Sequence, residues 1–336
     1  MINVAVIGYG YWGPNLVRNF VDNHSTDVSY VCDIDKSRLK MIKQKKSQIK
    51  SVVDYRDIIK DDNVQVVAIA TPVSTHYKIA YDVLNAGKHV FIEKPMTLNS
   101  SEGKKLIELA EKKNLIIFVD HTFIYTGAVK VIKDLLTSNE MGDIYYFDSV
   151  RVNLGMFQHD INVIWDLAPH DFSIMDYLIA EKPAFISSTG ASRISGKVED
   201  IAYISLRFQS GLIAHLHVNW MSPVKIRKII IGCSKNMIVF DDLNVDEKVK
   251  VYDKGVKLMN VSREKLYRNL VQYRIGNMYS PRIESTEALK AEITHLADCV
   301  INGKRPVTDG EAGLRVVKLL EAAQNSLRKG GIFVKI

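Results

Sequence analysis

The alternation of short apolar runs with helical stretches through residues 2–119 constrains this chain most. INVAVI (2–7) is apolar and rich in branched residues, which suits a strand buried on both faces. A helical stretch opens at Pro14 and runs to about Asn23. VSYVCD (28–33) reads as a second strand, 35–46 as a helix, 52–54 as a short strand and 55–60 as a small helix. VQVVAIA (64–70) is another buried strand, broken by Thr71-Pro72, and the helix over 75–86 is closed by Gly87. HVFIE (89–93), a helix over 100–114 and LIIFV (115–119) complete the series. Strict alternation of this kind predicts a doubly wound parallel sheet and an α/β fold.

Between the first strand and the first helix stands G-Y-G-Y-W-G (8–13), with an acid, Asp33, 20 residues after its last glycine. A lone GxGxxG is weak, but strand, glycine turn, helix and acid together form the dinucleotide-binding pattern of a Rossmann domain. Gly8 permits the tight turn, Gly10 lets backbone amides approach a pyrophosphate, and Gly13 lets the helix pack close to the sheet. Tyr11 and Trp12 lie inside the motif and join the candidate cofactor residues. Free N–H groups and the dipole at the helix start favour the diphosphate. Asp33 is placed to accept hydrogen bonds from ribose hydroxyls and, with Asp35 nearby, to repel a 2′-phosphate. NAD is therefore expected over NADP, with Arg38 the one residue placed to favour the 2′-phosphate.

The second half changes character. Residues 143–153 read as a strand, 166–180 as a helix, and 184–253 as successive strands with short turns such as Gln209-Ser210-Gly211. This predicts an α+β domain with an open, mostly antiparallel sheet. Helices close the chain near 285–302 and 309–328, and 254–284 reads as loop. A length of 336 residues fits about two domains: 1–121 for the nucleotide, and 122–336 for substrate and oligomerisation, its last helices free to pack back on the first domain.

Two clusters point to chemistry. Glu93-Lys94-Pro95 follows the strand 89–93, and strand C-termini of an open α/β sheet face the ligand crevice. Asp166 and His170 are four apart at the start of a helix and share a face, so the carboxylate can orient the imidazole. His215 and His217, two apart on a strand, are read as sheet-face residues, and no metal site is expected. Cys32, Cys233 and Cys299 are far apart with no CxxC pair, and no leader or membrane-spanning run is recognised, so a cytoplasmic, reduced protein is expected. The net charge of +7 is concentrated in Lys36, Arg38, Lys40, Lys43, Lys45, Lys46 and Lys50. No aromatic residue interrupts that run to stack on bases, so it reads as a solvated helix face and no nucleic-acid partner is expected.

Taken in order, the three glycines, Thr71-Pro72 with His76, Glu93-Lys94-Pro95, and Asp166 with His170 resemble the glucose–fructose oxidoreductase / inositol dehydrogenase / MocA family along essentially the whole chain. The resemblance implies that Thr71, Pro72, His76, Glu93 and Lys94 line the cofactor, and that Lys94, Asp166 and His170 serve catalysis at a sugar. His121–Tyr125, Val152–Gly155 and Asn162–Asp171 are similar to the nucleotide-sugar branch, which includes UDP-N-acetylglucosamine 3-dehydrogenases. Many members carry glycine where Ala168 stands. The expected reaction is NAD-dependent oxidation of the C3 hydroxyl of a UDP-N-acetylhexosamine, the keto product passing to an aminotransferase. His170 is the expected base, Asp166 its orienter and Lys94 the donor to the oxyanion, with Lys94 the alternative proton acceptor. Tyr125, Arg151, Asn153, Asn162 and Trp165 are the candidates for the UDP-sugar, Arg193 a weaker one. Rival readings are an inositol or free-sugar dehydrogenase and a non-catalytic NAD sensor. Family likeness also implies a homodimer or homotetramer joined through the open sheet face.

Overall fold

The computed structural model describes residues 1–45, 48–155, 157, 161–194, 196–258 and 271–336. The chain divides into two units, Met1–Thr126 with Thr286–Glu321, and Gly127–Ser285 with Ala322–Ile336.

In the first unit, among the described residues, six strands form one parallel sheet: β1 (Ile2–Ile7), β2 (Thr26–Cys32), β3 (Lys50–Val52), β4 (Val66–Ile69), β5 (His89–Glu93) and β6 (Ile117–Asp120). Their order is β3-β2-β1-β4-β5-β6. The order reverses between β1 and β4, and ligands bind at such a switch point beyond the strand C-termini. The helices are α1 (Gly13–Asp22), α2 (Lys36–Lys45), α3 (Arg56–Ile59), α4 (Val73–Asn85) and α5 (Ser100–Lys112). Every residue of β4 is buried, as in a strand covered on both faces. Pro14 sits in the first turn of α1, where its missing N–H costs nothing. The Asn99 side chain caps α5 by accepting from the Glu102 N–H. A 3-10 turn (Thr122–Tyr125) follows β6, and the late helix α8 (Ala288–Asn302) returns to pack against it and against α1.

The second unit holds α6 (Gly127–Thr137), β7 (Ile144–Leu154), α7 (Val163–Leu178), β8 (Phe185–Ala191), β9 (Ile201–Arg207), β10 (Ile213–Asn219), β11 (Met221–Cys233), β12 (Met237–Asp241), β13 (Val249–Leu258), β14 (Val271–Tyr279) and β15 (Val334–Lys335). The helix α9 (Gly310–Arg328) begins in the first unit and ends here. The sheet order is β14-β13-β12-β11-β7-β10-β9-β8-β15, antiparallel except for the parallel pair β7–β10. On β10, Ala214, Leu216 and Val218 are buried beneath α7, while Ile213, His215 and His217 occupy the other face. His215 and His217 stack on Tyr203 of β9, with centroid distances of 6.2 and 4.4 Å.

One expectation is corrected in part. Of the stretch 254–284, expected as loop, 254–258 belong to β13 and Val271–Tyr279 form β14, which pairs with it antiparallel; 280–284 are loop, and 259–270 lie outside the described residues. β14 is an edge strand whose Arg274–Tyr279 segment is largely exposed, and Gly276-Asn277 cut short its apolar–polar alternation. The two compact units part after Thr126, near the expected 121/122, and 286–321 group with the first, where α8 packs on α1 and the 3-10 turn. Within the basic run, Lys46 lies outside the described residues.

Candidate functional site

The glycine turn is built by close packing. A Cβ on Gly8 would lie 2.4 Å from the Ala70 carbonyl oxygen, and one on Gly13 would lie 2.1 Å from that of Gly8. Gly8 also has a φ of +95°, which side chains rarely adopt. At Gly10 the same position meets nothing nearer than the Arg38 guanidinium at 3.5 Å, leaving room for a ligand against the backbone. Asp33, just past β2, is buried and accepts from the N–H groups of Tyr9 (2.7 Å) and Asp35 (2.8 Å). Arg38 reaches Asp33 at 3.3 Å and Asp35 at 3.5 Å, so its charge is balanced beside the turn. Oδ2 takes both Tyr9 and Arg38, so Oδ1, which accepts only the Asp35 N–H, keeps acceptor capacity for a ribose hydroxyl. These residues fit a dinucleotide: the α1 start and Gly10 would hold the diphosphate, and Asp33 the ribose. Tyr11 is exposed, whereas the Trp12 indole turns inward and donates to Asp120 at 2.8 Å.

Thr71 is half-buried and Pro72 exposed at the start of α4. His76 corrects one expectation. It is 1% exposed, and its ring nitrogens bond the Thr71 carbonyl (2.8 Å) and the Pro95 carbonyl (3.0 Å). It braces two turns from behind and is too enclosed to line the cofactor. Burial pushes its pKa below the ordinary value, against the pull of those carbonyls. Lys94 follows β5, and the Lys94–Pro95 peptide is cis. The Lys94 N–H donates to Glu93 Oε2 at 3.1 Å, so Glu93 also lies beneath the turn.

In the second unit, Asn162 caps α7 by accepting from the Trp165 N–H, and donates to Glu199 (2.8 Å) and Gln324 (2.7 Å). Its amide, expected at the substrate, is engaged by the fold. Arg151, expected there too, is also engaged. It lies buried on β7, with Nε 2.7 Å and one terminal nitrogen 3.1 Å from the Asp171 carboxylate, which also accepts from Ser149 at 2.9 Å. That bidentate pair absorbs the charge offered to a diphosphate. Tyr125, in the first unit, is buried too, its hydroxyl 3.1 Å from Thr308 Oγ1 and its ring against Phe118 and His295. Asn153 is half-buried on β7, Trp165 is buried in α7, and Arg193 is exposed. Asp166 lies in the first turn of α7 and His170 one turn on, both partly accessible. Asp166 Oδ2 accepts from the buried Trp220 indole at 2.9 Å, which fixes the carboxylate's direction. Pro169 lacks the N–H that would donate to the Trp165 carbonyl, loosening the helix beside His170.

Sequence reading missed Asp120, Glu292, Asp171 and Trp220. Asp120 carried a usable signal, being at the C-terminal end of a parallel strand. Glu292 carried another, falling among Leu289, Ile293 and Leu296 on the apolar stripe of α8.

One unit with a parallel sheet and a glycine turn at its switch point, and a second with an open mixed sheet and an aspartate–histidine pair on α7, define a two-domain dinucleotide-binding oxidoreductase. Residues 2–121 match the oxidoreductase family with an NAD-binding Rossmann fold, and residues 129–239 match the GFO/IDH/MocA C-terminal domain. The chain belongs to the Gfo/Idh/MocA oxidoreductase family. It is 25% identical over 346 residues to myo-inositol 2-dehydrogenase of Thermotoga maritima, covering 98% of this chain and 97% of that one. It is 26% identical over 259 residues to UDP-N-acetylglucosamine 3-dehydrogenase of Acidithiobacillus ferrooxidans, covering 76% of each. A solved structure of the latter superposes with a TM-score of 0.83 at 21% identity over 98% of both chains. An Agrobacterium radiobacter oxidoreductase solved with NAD+ gives 0.82 at 19% identity over 99% of this chain and 98% of that one. Among the described residues no His/Cys/Asp/Glu group could hold a metal, and no helix is long and apolar enough to cross a membrane.

Proposed function

We propose that this NAD-binding oxidoreductase oxidises the C3 hydroxyl of a UDP-N-acetylhexosamine to the ketone. What carries the dehydrogenase reading is that the chain holds both a lysine directly after β5, the strand end that faces a ligand crevice, and, in its second unit, an aspartate and a histidine one turn apart on α7. The nucleotide-sugar reading is supported by the stretches 121–125, 152–155 and 162–171 and by the UDP-N-acetylglucosamine 3-dehydrogenase relative.

Bound NAD supplies the hydride acceptor: the C3 hydrogen leaves with its electron pair, and the hydroxyl proton goes to a base. His170 takes that proton in this reading. Asp166, its direction set by Trp220, orients the imidazole and stabilises its charged form. Lys94 donates to the oxygen on which negative charge develops. With Arg151 committed to Asp171, the diphosphate falls to Arg193, Asn153 and backbone donors. The half-exposed sheet face bearing Tyr203, His215 and His217 joins copies of the chain, and the keto product suits a later amination.

A second reading, an inositol dehydrogenase, is favoured by full-length coverage of the inositol relatives at similar identity. Purified protein with NAD is offered UDP-N-acetylglucosamine and myo-inositol, and NADH absorbance is followed. The proposal expects turnover on the nucleotide sugar with a 3-keto product by NMR. Turnover on myo-inositol alone would replace it with the second reading.

A further inference from the structure

Three carboxyl groups from distant parts of the sequence meet inside the first unit. Asp120 ends β6, Glu93 ends β5, and Glu292 projects from α8. Asp120 is 2% and Glu292 0% exposed. Asp120 Oδ2 accepts from the Trp12 indole at 2.8 Å, and Oδ1 accepts from the Thr122 hydroxyl. Glu93 Oε1 and both Glu292 oxygens are buried without a geometrically formed hydrogen bond, and the one hydroxyl near Glu292, that of Thr122, is given to Asp120. Carboxyls in that position are satisfied only by carrying protons of their own. Burial, and then the neighbouring Asp120 charge, push both glutamates well above the usual carboxylate range. As neutral acids both donate to Asp120, whose two oxygens then serve four donors, about the full capacity of a carboxylate.

The donors are not equivalent. Trp12 is the residue from which α1 starts, inside the glycine turn. Glu93 lies under the Lys94 turn and accepts its N–H. Thr122 belongs to the 3-10 turn after β6, in neither of those two turns. We propose that Asp120 is a positioning residue for the dinucleotide, holding Trp12, and through it the glycine turn, in register with the Glu93–Lys94 turn.

The test is calorimetric NAD binding to the full chain, which needs no substrate and so stands apart from the choice of sugar. Trp12→Phe removes the indole N–H while keeping an aromatic ring, and Asp120→Asn disrupts the acceptor. Each is expected to weaken NAD binding by about tenfold, the size of one hydrogen bond at the upper end of its net worth. The double variant is expected to be no weaker than the weaker single variant, because both act through one link. Thr122→Val, which removes the other hydroxyl donor, is expected to lower the melting temperature but leave NAD affinity within about twofold. Unchanged affinity in Trp12→Phe would overturn the proposal, and that variant decides it even if Asp120→Asn fails to fold. Additive losses in the double variant, or a loss in Thr122→Val as large as in Trp12→Phe, would overturn it as well.

Discussion

The two units bury carboxyl groups beside their candidate site residues and neutralise them differently. In the second unit Asp171 meets a guanidinium, Arg151, and the hydroxyl of Ser149. In the first unit Glu93 and Glu292 meet another carboxylate, Asp120, and carry protons instead. A guanidinium keeps its charge throughout the working pH range, whereas a buried acid holds its proton only below its shifted pKa. The scaffold of the second unit is therefore fixed electrostatically, and that of the first, NAD-binding unit is linked to pH.

The contrast breaks most readily at Arg151. Arg151→Ala leaves Asp171 buried without its cation and should destabilise the fold by about 3–5 kcal/mol, read from denaturant unfolding. Loss of less than about 1 kcal/mol would mean that the pair is not the anchor of α7 on β7.

A smaller, pH-dependent effect is expected at Glu292. Its folded pKa is raised, so its own contribution to stability is greatest below the ordinary glutamate value and is lost as pH rises toward the folded one. For one linked proton the slope reaches about 1.4 kcal/mol per pH unit. Glu292→Gln keeps an N–H donor for Asp120 and has nothing to ionise. Its melting temperature should gain on the wild type steadily as pH rises above about 4.3, the ordinary glutamate value. A difference that stays flat with pH would show that Glu292 is not held protonated.

The elements that carry the nucleotide site were legible because their signals are local: β1, the glycine turn and α1 are contiguous, and Asp33 stands at a fixed distance. The pair on α7 was legible for the same reason, since a helix puts residues four apart on one face. The packing of Tyr125, Arg151 and Asn162 was not legible, because a polar residue's type does not say whether it faces a ligand or another side chain. Arg151 meets Asp171, and Asn162 meets Glu199 and Gln324, far along the chain. The Asp120 cluster joins residues from positions 12 to 292, a distance no motif spans. β14 carried only a short signal: Val271–Ile275 alternate apolar and polar, and Gly276-Asn277 then cut the pattern off.

The central claim, that Lys94 serves hydride transfer from a nucleotide sugar, is tested most directly by one comparison. Wild-type chain and Lys94→Ala are assayed for NADH formation from UDP-N-acetylglucosamine, with NAD affinity measured alongside. Turnover is expected to fall by about 10²–10⁴-fold while NAD affinity stays within a few-fold. Near-wild-type turnover in Lys94→Ala would contradict the account.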